Sequence, residues 1–521
     1  MMQKLKPLGY WVLIGILAGS VILSLNRIKD CQMTVDEFFS INIAQRSLGE
    51  IWSLKKIPGF YFNNSPPFYE TTLHFVWHIS KESLFWARFL SVFFNVMAIY
   101  FIFLLSKLLF NKTVGLIAAS LASLNYSYIL FSKMIRGYSL LNFLTLASFY
   151  IFFRMIFEEK AGNRYKIILA CINIAILYTF YFGAIVILLE LILSCIFLSG
   201  RAFKRTWPWL LRPFIFFLPW FPRFLVDFKI LAMVRFKISA VHNFFNIVLS
   251  RFSQGIFHDT GLLIFYFVVV LYSLIYGFVL FRRKDKKGLL IITLAVIFLV
   301  AVSVINYLTA AIKDDFRARY SFPYIFPIFI LTGFFIKKMH RYAGVLIFSA
   351  LLIYSVFVIR VYFRLPMQQF WPAQLAPLVV EAKEFPVQNT DKVTVEIETG
   401  FFVPVFVYYF YGPGYFRDQC FPFGGANLRK LDGILKPDYR VYSNIAPLKH
   451  SHFLYSIPNF IDSDWLFLIY SEWQPYYWGK EFREVYEDKL REYHLQGALS
   501  LIRKNKIGGF TLEIYKVNKN N

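Results

Sequence analysis

Apolar residues in this chain gather into long runs separated by short polar segments, and most runs have the length a helix needs to cross a hydrocarbon layer. Runs at 8–25, 84–108, 114–131, 139–157, 167–182, 184–198, 210–225, 262–281, 289–308, 322–336 and 343–363 predict about eleven spans. From about residue 364 the pattern shortens. Segments 393–397 and 465–470 read as strands, 510–517 alternates like a final strand, and 480–494 reads as a charged amphipathic helix. The expected fold class is an α-helical polytopic membrane protein, residues 1–363, followed by a small α/β domain, residues 364–521.

Between the first two runs, residues 35–54 place apolar side chains at helical spacing with polar ones between, as in a helix lying in an interface. Pro58-Gly59 breaks that pattern. Pro66-Pro67 then starts another helix, because proline suits a first turn and is excluded from the interior of one.

Composition supports the membrane assignment: 58% of the 521 residues are hydrophobic and 20% aromatic, too apolar for a soluble globule. The formal net charge of +25 would suggest nucleic acid in a soluble protein. Here the cations cluster in alternate short loops, at Lys107 and Lys112, Lys160 to Lys166, Arg201 to Arg205, Arg282 to Lys287 and Lys337 to Arg341. That is the bias of cytoplasmic loops, so no nucleic acid is needed to explain it. It puts the N-terminus in the cytoplasm and the C-terminal domain outside, in a multi-pass protein of the cell membrane, read as a bacterial inner or plasma membrane. Lys4 and Lys6 precede the first run, which lacks a small-residue cleavage site and reads as an uncleaved anchor. Of the four cysteines, Cys171 and Cys195 fall inside apolar runs and are expected as small core residues. Cys31 and Cys420 share a side, which is compatible with a disulfide that nothing else argues for.

Three outward-facing places repeat one chemical theme. Asp36-Glu37 supplies acid in the first loop, Lys133 and Arg136 supply cations between the third and fourth runs, and Arg317 and Arg319 supply them before the tenth. Guanidinium groups suit a phosphate, which they grip through paired donors, and an acid beside them suits deprotonation of a hydroxyl. Gathered around one cavity, they describe transfer of a group from a lipid-anchored phosphate. Plainer readings stand beside these. Thr34 and Glu37 fit a capping box, Arg136 could snorkel from a helix end, and Arg319 could pair with Asp314 or Asp315. Glu70 could be a solvated helix residue, and His242 and His258 ordinary loop residues.

The ordered set Asp36-Glu37, Pro66-Pro67-Phe68-Tyr69, Ala87-Arg88-Phe89-Leu90-Ser91, Arg136-Gly137-Tyr138-Ser139-Leu140 and Arg319-Tyr320 with Pro323 and Pro327 resembles the GT-C membrane glycosyltransferases. The nearest group is the family 39 and 83 type, which includes protein O-mannosyltransferases and lipid A aminoarabinose transferases. The resemblance spans roughly residues 8–336. It implies a polyprenyl-phosphate-sugar donor, a lipid, glycan or protein acceptor, and inverting displacement at the anomeric carbon. Carried over, Asp36 looks like the general base, with Glu37 as helper or cation ligand. Arg136 and Arg319 look like donor-phosphate contacts, with Lys133 and Arg317 beside them, and Tyr69, Glu70, Tyr138 and Tyr320 would line the cavity. Two departures stand out. Met134 occupies the place where the family often carries an acid two residues before the arginine, and Ser65 replaces the His or Lys often found before the prolines. Both weaken the case for a divalent metal, for which Glu37, Glu70, His242 and His258 remain the candidates.

Two other functions compete. A transporter or flippase places polar groups near the midplane on interrupted helices and often shows inverted repeats, whereas here the polar residues sit at external ends. A polysaccharide polymerase or ligase would use similar substrates but carry a large arginine-rich external loop; the early Asp36-Glu37 pair favours the transferase.

Overall fold

The computed structural model describes residues 7–29, 31, 33–54, 66–157, 163–227, 260–308, 318–364, 375–388, 390–397, 406, 409–410, 438–443, 463–471, 497, 499–507 and 510–518. Its helices are α1 (Pro7–Leu25), α2 (Val35–Ala44), α3 (Leu48–Ile51), α4 (Phe68–Ile79), α5 (Leu84–Leu109), α6 (Lys112–Ser123), α7 (Tyr126–Ser132), α8 (Tyr138–Phe157), α9 (Asn163–Thr179), α10 (Ala184–Phe197) and α11 (Gly200–Phe217). They continue as α12 (Thr260–Arg282), α13 (Lys286–Leu308), α14 (Ala318–Ser321), α15 (Phe326–Lys338), α16 (Arg341–Arg364) and α17 (Ala376–Glu384). The strands are β1 (Lys392–Ile397), β2 (Asp438–Ser443), β3 (Trp465–Ser471), β4 (Leu499–Ile507) and β5 (Phe510–Val517). Two compact units result: Met1–Ile28 with Asn64–Arg364, and Lys29–Asn63 with Leu365–Asn521.

The first unit is a membrane helix bundle. Each of the eleven apolar runs is helical over most of its length. Among the described residues, six helices are long and apolar enough to cross a membrane, and a seventh forms if the α6 and α7 pair, bent by 61°, counts as one span. The bend has a local cause. Asn125 Oδ1 accepts hydrogen bonds from the backbone N–H groups of Ser127 at 3.0 Å and Tyr128 at 3.4 Å, so a new helix is capped inside the apolar run. Aromatic contacts join α5 to α8, with Phe143 stacked 5.8 Å from Phe94 and edge-to-face 5.5 Å from Phe101. A carboxyl group also lies inside the bundle, where it needs partners to be tolerated. Glu190 on α10 accepts from Ser148 Oγ on α8 at 2.6 Å and from Asn173 Nδ2 on α9 at 2.7 Å, which staples three helices. The cysteine expectation is corrected: Cys171 and Cys195 are exposed, Cys195 among the outward apolar residues Leu188, Ile192 and Ile196 of α10, and Cys31 is the buried one among the described residues.

The second unit holds the 33–54 segment and the C-terminal sheet. The helical pattern over 35–54 breaks into α2 and α3, because Ser47 and Glu50 form a capping box that starts a second helix. The sheet order is β2-β1-β3-β5-β4, with β1 parallel to β2 and β3, and β5 antiparallel to β3 and β4. Leu466, Leu468, Leu499, Tyr515 and Val517 pack into one of its cores. The two edge strands, β2 and β4, are the ones that hydrophobic alternation does not announce, since an edge such as Arg503-Lys504-Asn505-Lys506 carries cations instead. Glu513 on β5 is buried and takes Lys504 Nζ at 2.6 Å and Tyr470 Oη at 2.9 Å. The predicted helix at 480–494 lies outside the described residues, as do Cys420, the 228–259 loop and Ser65.

Candidate active site

At one end of the bundle α4 meets the turn between α7 and α8. Helix α4 begins directly after Pro66-Pro67, and Thr71 Oγ1 donates back to Pro67 O at 2.7 Å. The turn that faces it, residues 133–137, is fixed from α5. Ser91 Oγ donates to Met134 O at 2.6 Å, and three residues earlier on the same helix face Arg88 donates to Ile28 O at 3.2 Å, in the turn after α1. The Ala87-Arg88-Phe89-Leu90-Ser91 motif is therefore a clasp: its two polar side chains hold two chain reversals against one helix.

Lys133 belongs to the same clasp. Its side chain is fully buried and Nζ donates to Asn26 O at 2.6 Å, one residue beyond the end of α1. A cation there satisfies a carbonyl at the negative end of a helix. Three residues on, Arg136 is only partly buried, and Gly137 brings the backbone against Tyr69 and Thr179, leaving 3.3 Å from a β-carbon position to Tyr69 Cβ.

Glu70, next to Tyr69 on α4, is 2% exposed, and its Oε2 has no hydrogen-bond partner among the described residues. Burial lifts its carboxyl to about 7, and the charge of Arg136 opposes part of that rise. The acid absent from the Met134 position thus has a counterpart on another helix, within electrostatic reach of the same arginine.

The second cationic corner reaches the first through aromatic rings. The Arg319 guanidinium lies 4.9 Å from the Tyr320 ring centroid and donates to Tyr320 Oη at 3.1 Å. The ring of Phe180 is 5.7 Å from that of Tyr320 and 6.2 Å from that of Tyr138, so Arg136-Gly137-Tyr138 and Arg319-Tyr320 flank one side chain. Tyr324 Oη donates to Phe182 O at 2.8 Å and pins the Phe180 segment from the α15 side. From the other side, Tyr181 Oη donates to buried Asp227 at 2.7 Å and accepts from Trp220 Nε1 at 3.2 Å. None of Phe180, Tyr181 or Asp227 stood out in the sequence. Their signal was weak: an aromatic run interrupted by Gly183, and one acid at the end of an apolar helix.

Asp36 and Glu37 lie in the second unit, in the first turn of α2. The capping box forms: Thr34 N–H donates to Glu37 Oε2 at 2.8 Å, and Glu37 N–H donates to Thr34 Oγ1 at 3.2 Å. Glu37 is fully buried in that role, and Asp36 beside it is partly exposed. Met33 N–H donates to Tyr409 Oη at 2.7 Å, tying the start of this segment to the C-terminal part of the same unit. Arg317, His242 and His258 lie outside the described residues, among which no group of three or more His, Cys, Asp or Glu side chains is arranged to hold a metal ion.

A family model described as dolichyl-phosphate-mannose-protein mannosyltransferase matches residues 64–223. Comparison with curated proteins finds no significant match. Among solved structures, ArnT from Cupriavidus metallidurans in its apo state has a TM-score of 0.56 at 11% identity, covering 98% of each chain. The same enzyme bound to undecaprenyl phosphate gives 0.55 at 10% identity with the same coverage. The oligosaccharyltransferase of Archaeoglobus fulgidus gives 0.47 at 13% identity over 77% of this chain, which spans only 61% of that protein's length. From the two ArnT matches, the protein has the fold of the GT-C membrane glycosyltransferases.

Proposed function

We propose that this protein moves a sugar from a polyprenyl-phosphate donor to an acceptor hydroxyl on the non-cytoplasmic side of the membrane, with inversion at the anomeric carbon. The observation that carries the reading is the junction of Arg136 and Arg319 around Phe180, two guanidinium-bearing corners at one end of a helix bundle with the ArnT fold. A donor that carries its own lipid anchor is best met at such an end, where a phosphate can be gripped by paired N–H groups while the chain stays in hydrocarbon.

In this reading Arg136 and Arg319 hold the phosphate and stabilise the charge that develops on it as the bond from the anomeric carbon breaks. Asp36 takes the proton of the acceptor hydroxyl. Its partial exposure suits it to that task better than its buried neighbour Glu37, which closes the capping box. Tyr69, Tyr138 and Tyr320 supply the walls. Lys133 and Glu37 act by positioning, and the orientation with the N-terminus in the cytoplasm follows from the basic loops.

The test is transfer of labelled sugar from a polyprenyl-phosphate donor in membranes containing the protein. Wild type should transfer and Asp36→Asn should not, with both present at equal level. Equal transfer by the two would remove Asp36 from the mechanism, and no transfer from any such donor by wild type would remove the activity.

A further inference from the structure

Resting on that reading, we propose that Tyr181 is a positioning residue for the donor phosphate: anchored on Asp227, it fixes Phe180 and with it the spacing between the Arg136 and Arg319 corners.

The link between α9 and α10 starts with extended backbone at Phe180, φ −159° and ψ 133°, and continues as a 3₁₀ turn, Tyr181–Gly183. Its rings part to two sides. Phe180 and Phe182 lie against Tyr320, with ring centroids 5.7 and 5.6 Å away, whereas Tyr181 lies on the chain that follows α11. There Pro219 turns the helix into a 3₁₀ turn, Leu218–Trp220, and helical backbone resumes to Asp227. Phe217, Trp220, Phe224 and Asp227 recur at three and four residues and so share one face. All four engage Tyr181. Phe217 and Phe224 meet its ring at 6.2 and 5.0 Å, Trp220 Nε1 donates to its hydroxyl at 3.2 Å, and that hydroxyl donates to Asp227 Oδ2 at 2.7 Å.

The anchor is a firm one. Asp227 is 2% exposed, and Arg223, one turn earlier, brings Nε to 3.4 Å from Oδ1, so the buried carboxylate carries its own counter-charge. A hydrogen bond to a carboxylate is roughly twice as strong as one between neutral groups, and with the Trp220 N–H it holds the phenol oxygen from two sides. Ring packing alone would hold a phenylalanine as well; the hydroxyl adds position. At the other end of the link Tyr324 Oη donates to Phe182 O at 2.8 Å, and a β-carbon at Gly183 would stand 3.1 Å from Ile176 O, so the turn lies close on α9. Phe180 cannot shift unless Tyr181 does.

Phe180 is the ring that Tyr138 and Tyr320 flank, and each of those follows its arginine directly or by two residues. Two guanidinium groups grip one phosphate only at a matched separation, and a misplacement of about 1 Å can cost about 100-fold. The Arg223-Asp227-Tyr181 chain is therefore a strut: it holds the spacer between the two corners without touching the phosphate.

The experiment uses the purified full-length protein in nanodiscs, with a polyprenyl phosphate as the probe and its affinity as the readout. Arg136→Gln, Arg319→Gln and the double variant are measured in the wild-type, Tyr181→Phe and Asp227→Ala backgrounds. Tyr181→Phe keeps the ring and removes both hydrogen bonds, and should weaken binding by about tenfold. The decisive quantity is the coupling between the two arginines, which loss of folded protein does not move. In the wild-type background the double variant should lose less than the sum of the single losses; in Tyr181→Phe and in Asp227→Ala the losses should become additive. Asp227→Asn, whose Oδ1 still accepts from the tyrosine, should restore most of the coupling. Coupling of wild-type size in a folded Tyr181→Phe overturns the proposal and leaves the donor site intact, and so does the same result in Asp227→Ala should Tyr181→Phe not fold. Failure of the wild-type protein to bind the polyprenyl phosphate, or additive losses already in its background, overturns the shared donor site itself and the strut with it.

Discussion

Gly137 lies against Tyr69: a β-carbon at this glycine would stand 3.3 Å from both Cβ and Cγ of the tyrosine and 3.4 Å from Thr179 Cγ2. The contact joins two residues 68 positions apart (137 − 69) and holds the turn that carries Arg136 against α4. Gly137→Ala should push Tyr69 and the turn apart by a few tenths of an ångström, costing about 1–3 kcal/mol of stability as overpacking does. Because Arg136 rides on the same turn, sugar transfer should fall further than the drop in thermal midpoint explains. A loss of activity no larger than the loss of folded protein would show that the spacing matters to folding alone.

Asp36 and Glu37 are neighbours with different expected phenotypes. Asp36→Asn should lower transfer by about 100-fold or more at unchanged stability, the scale of a lost general base. Glu37→Ala removes the acceptor for Thr34 N–H, opens one half of the capping box and should cost about 1 kcal/mol in thermal stability with a smaller effect on rate. Thermal melts and single-turnover rates on the two variants separate the roles; reversed phenotypes would exchange the assignments.

Arg136→Gln and Arg319→Gln should each weaken donor binding by about tenfold to a hundredfold, since a hydrogen bond to a charged group contributes about 1.5–3 kcal/mol. The double variant should lose less than the sum if both hold one phosphate. Strictly additive losses would mean that the corners beside Phe180 serve different ligands.

Glu70 should make stability depend on pH in the direction opposite to a salt-bridged carboxylate. Its folded-state pKa is raised, from 4.5 to about 7, so the stability attached to its neutral form is complete below about 4.5 and is lost as pH rises to about 7. The difference amounts to about 3 kcal/mol. Thermal midpoints of wild type should decline between pH 5 and 8, and Glu70→Gln should flatten that decline; a parallel decline in the variant would place the titrating group elsewhere.

Ser91→Ala removes the donor to Met134 O and leaves a buried carbonyl unsatisfied, at a cost of about 1–3 kcal/mol. Ser91→Thr, which keeps a hydroxyl, should retain more of both stability and transfer. Equal behaviour of the two would mean that the clasp does not depend on this bond.

Sequence alone determined the membrane bundle, because eleven apolar runs with basic loops between them have few ways to satisfy their backbone in lipid other than as helices. It also foretold the strands with alternating or continuous apolar residues, and the theme of acid and guanidinium near helix ends. It did not foretell the break at Asn125, the edge strands β2 and β4, or the split between α2 and α3, each set by a local polar cap or an edge position that hydrophobic periodicity does not register. Arg88, Ser91 and Lys133 read as motif or site residues, yet they grip the carbonyls of Ile28, Met134 and Asn26. Only tertiary structure decided that, as it decided the meeting of Arg136-Tyr138 and Arg319-Tyr320 on Phe180 and the burial of Glu70. The reason is physical: periodicity reports which face of an element is dry, whereas a partner 43 to 107 residues away is chosen by packing.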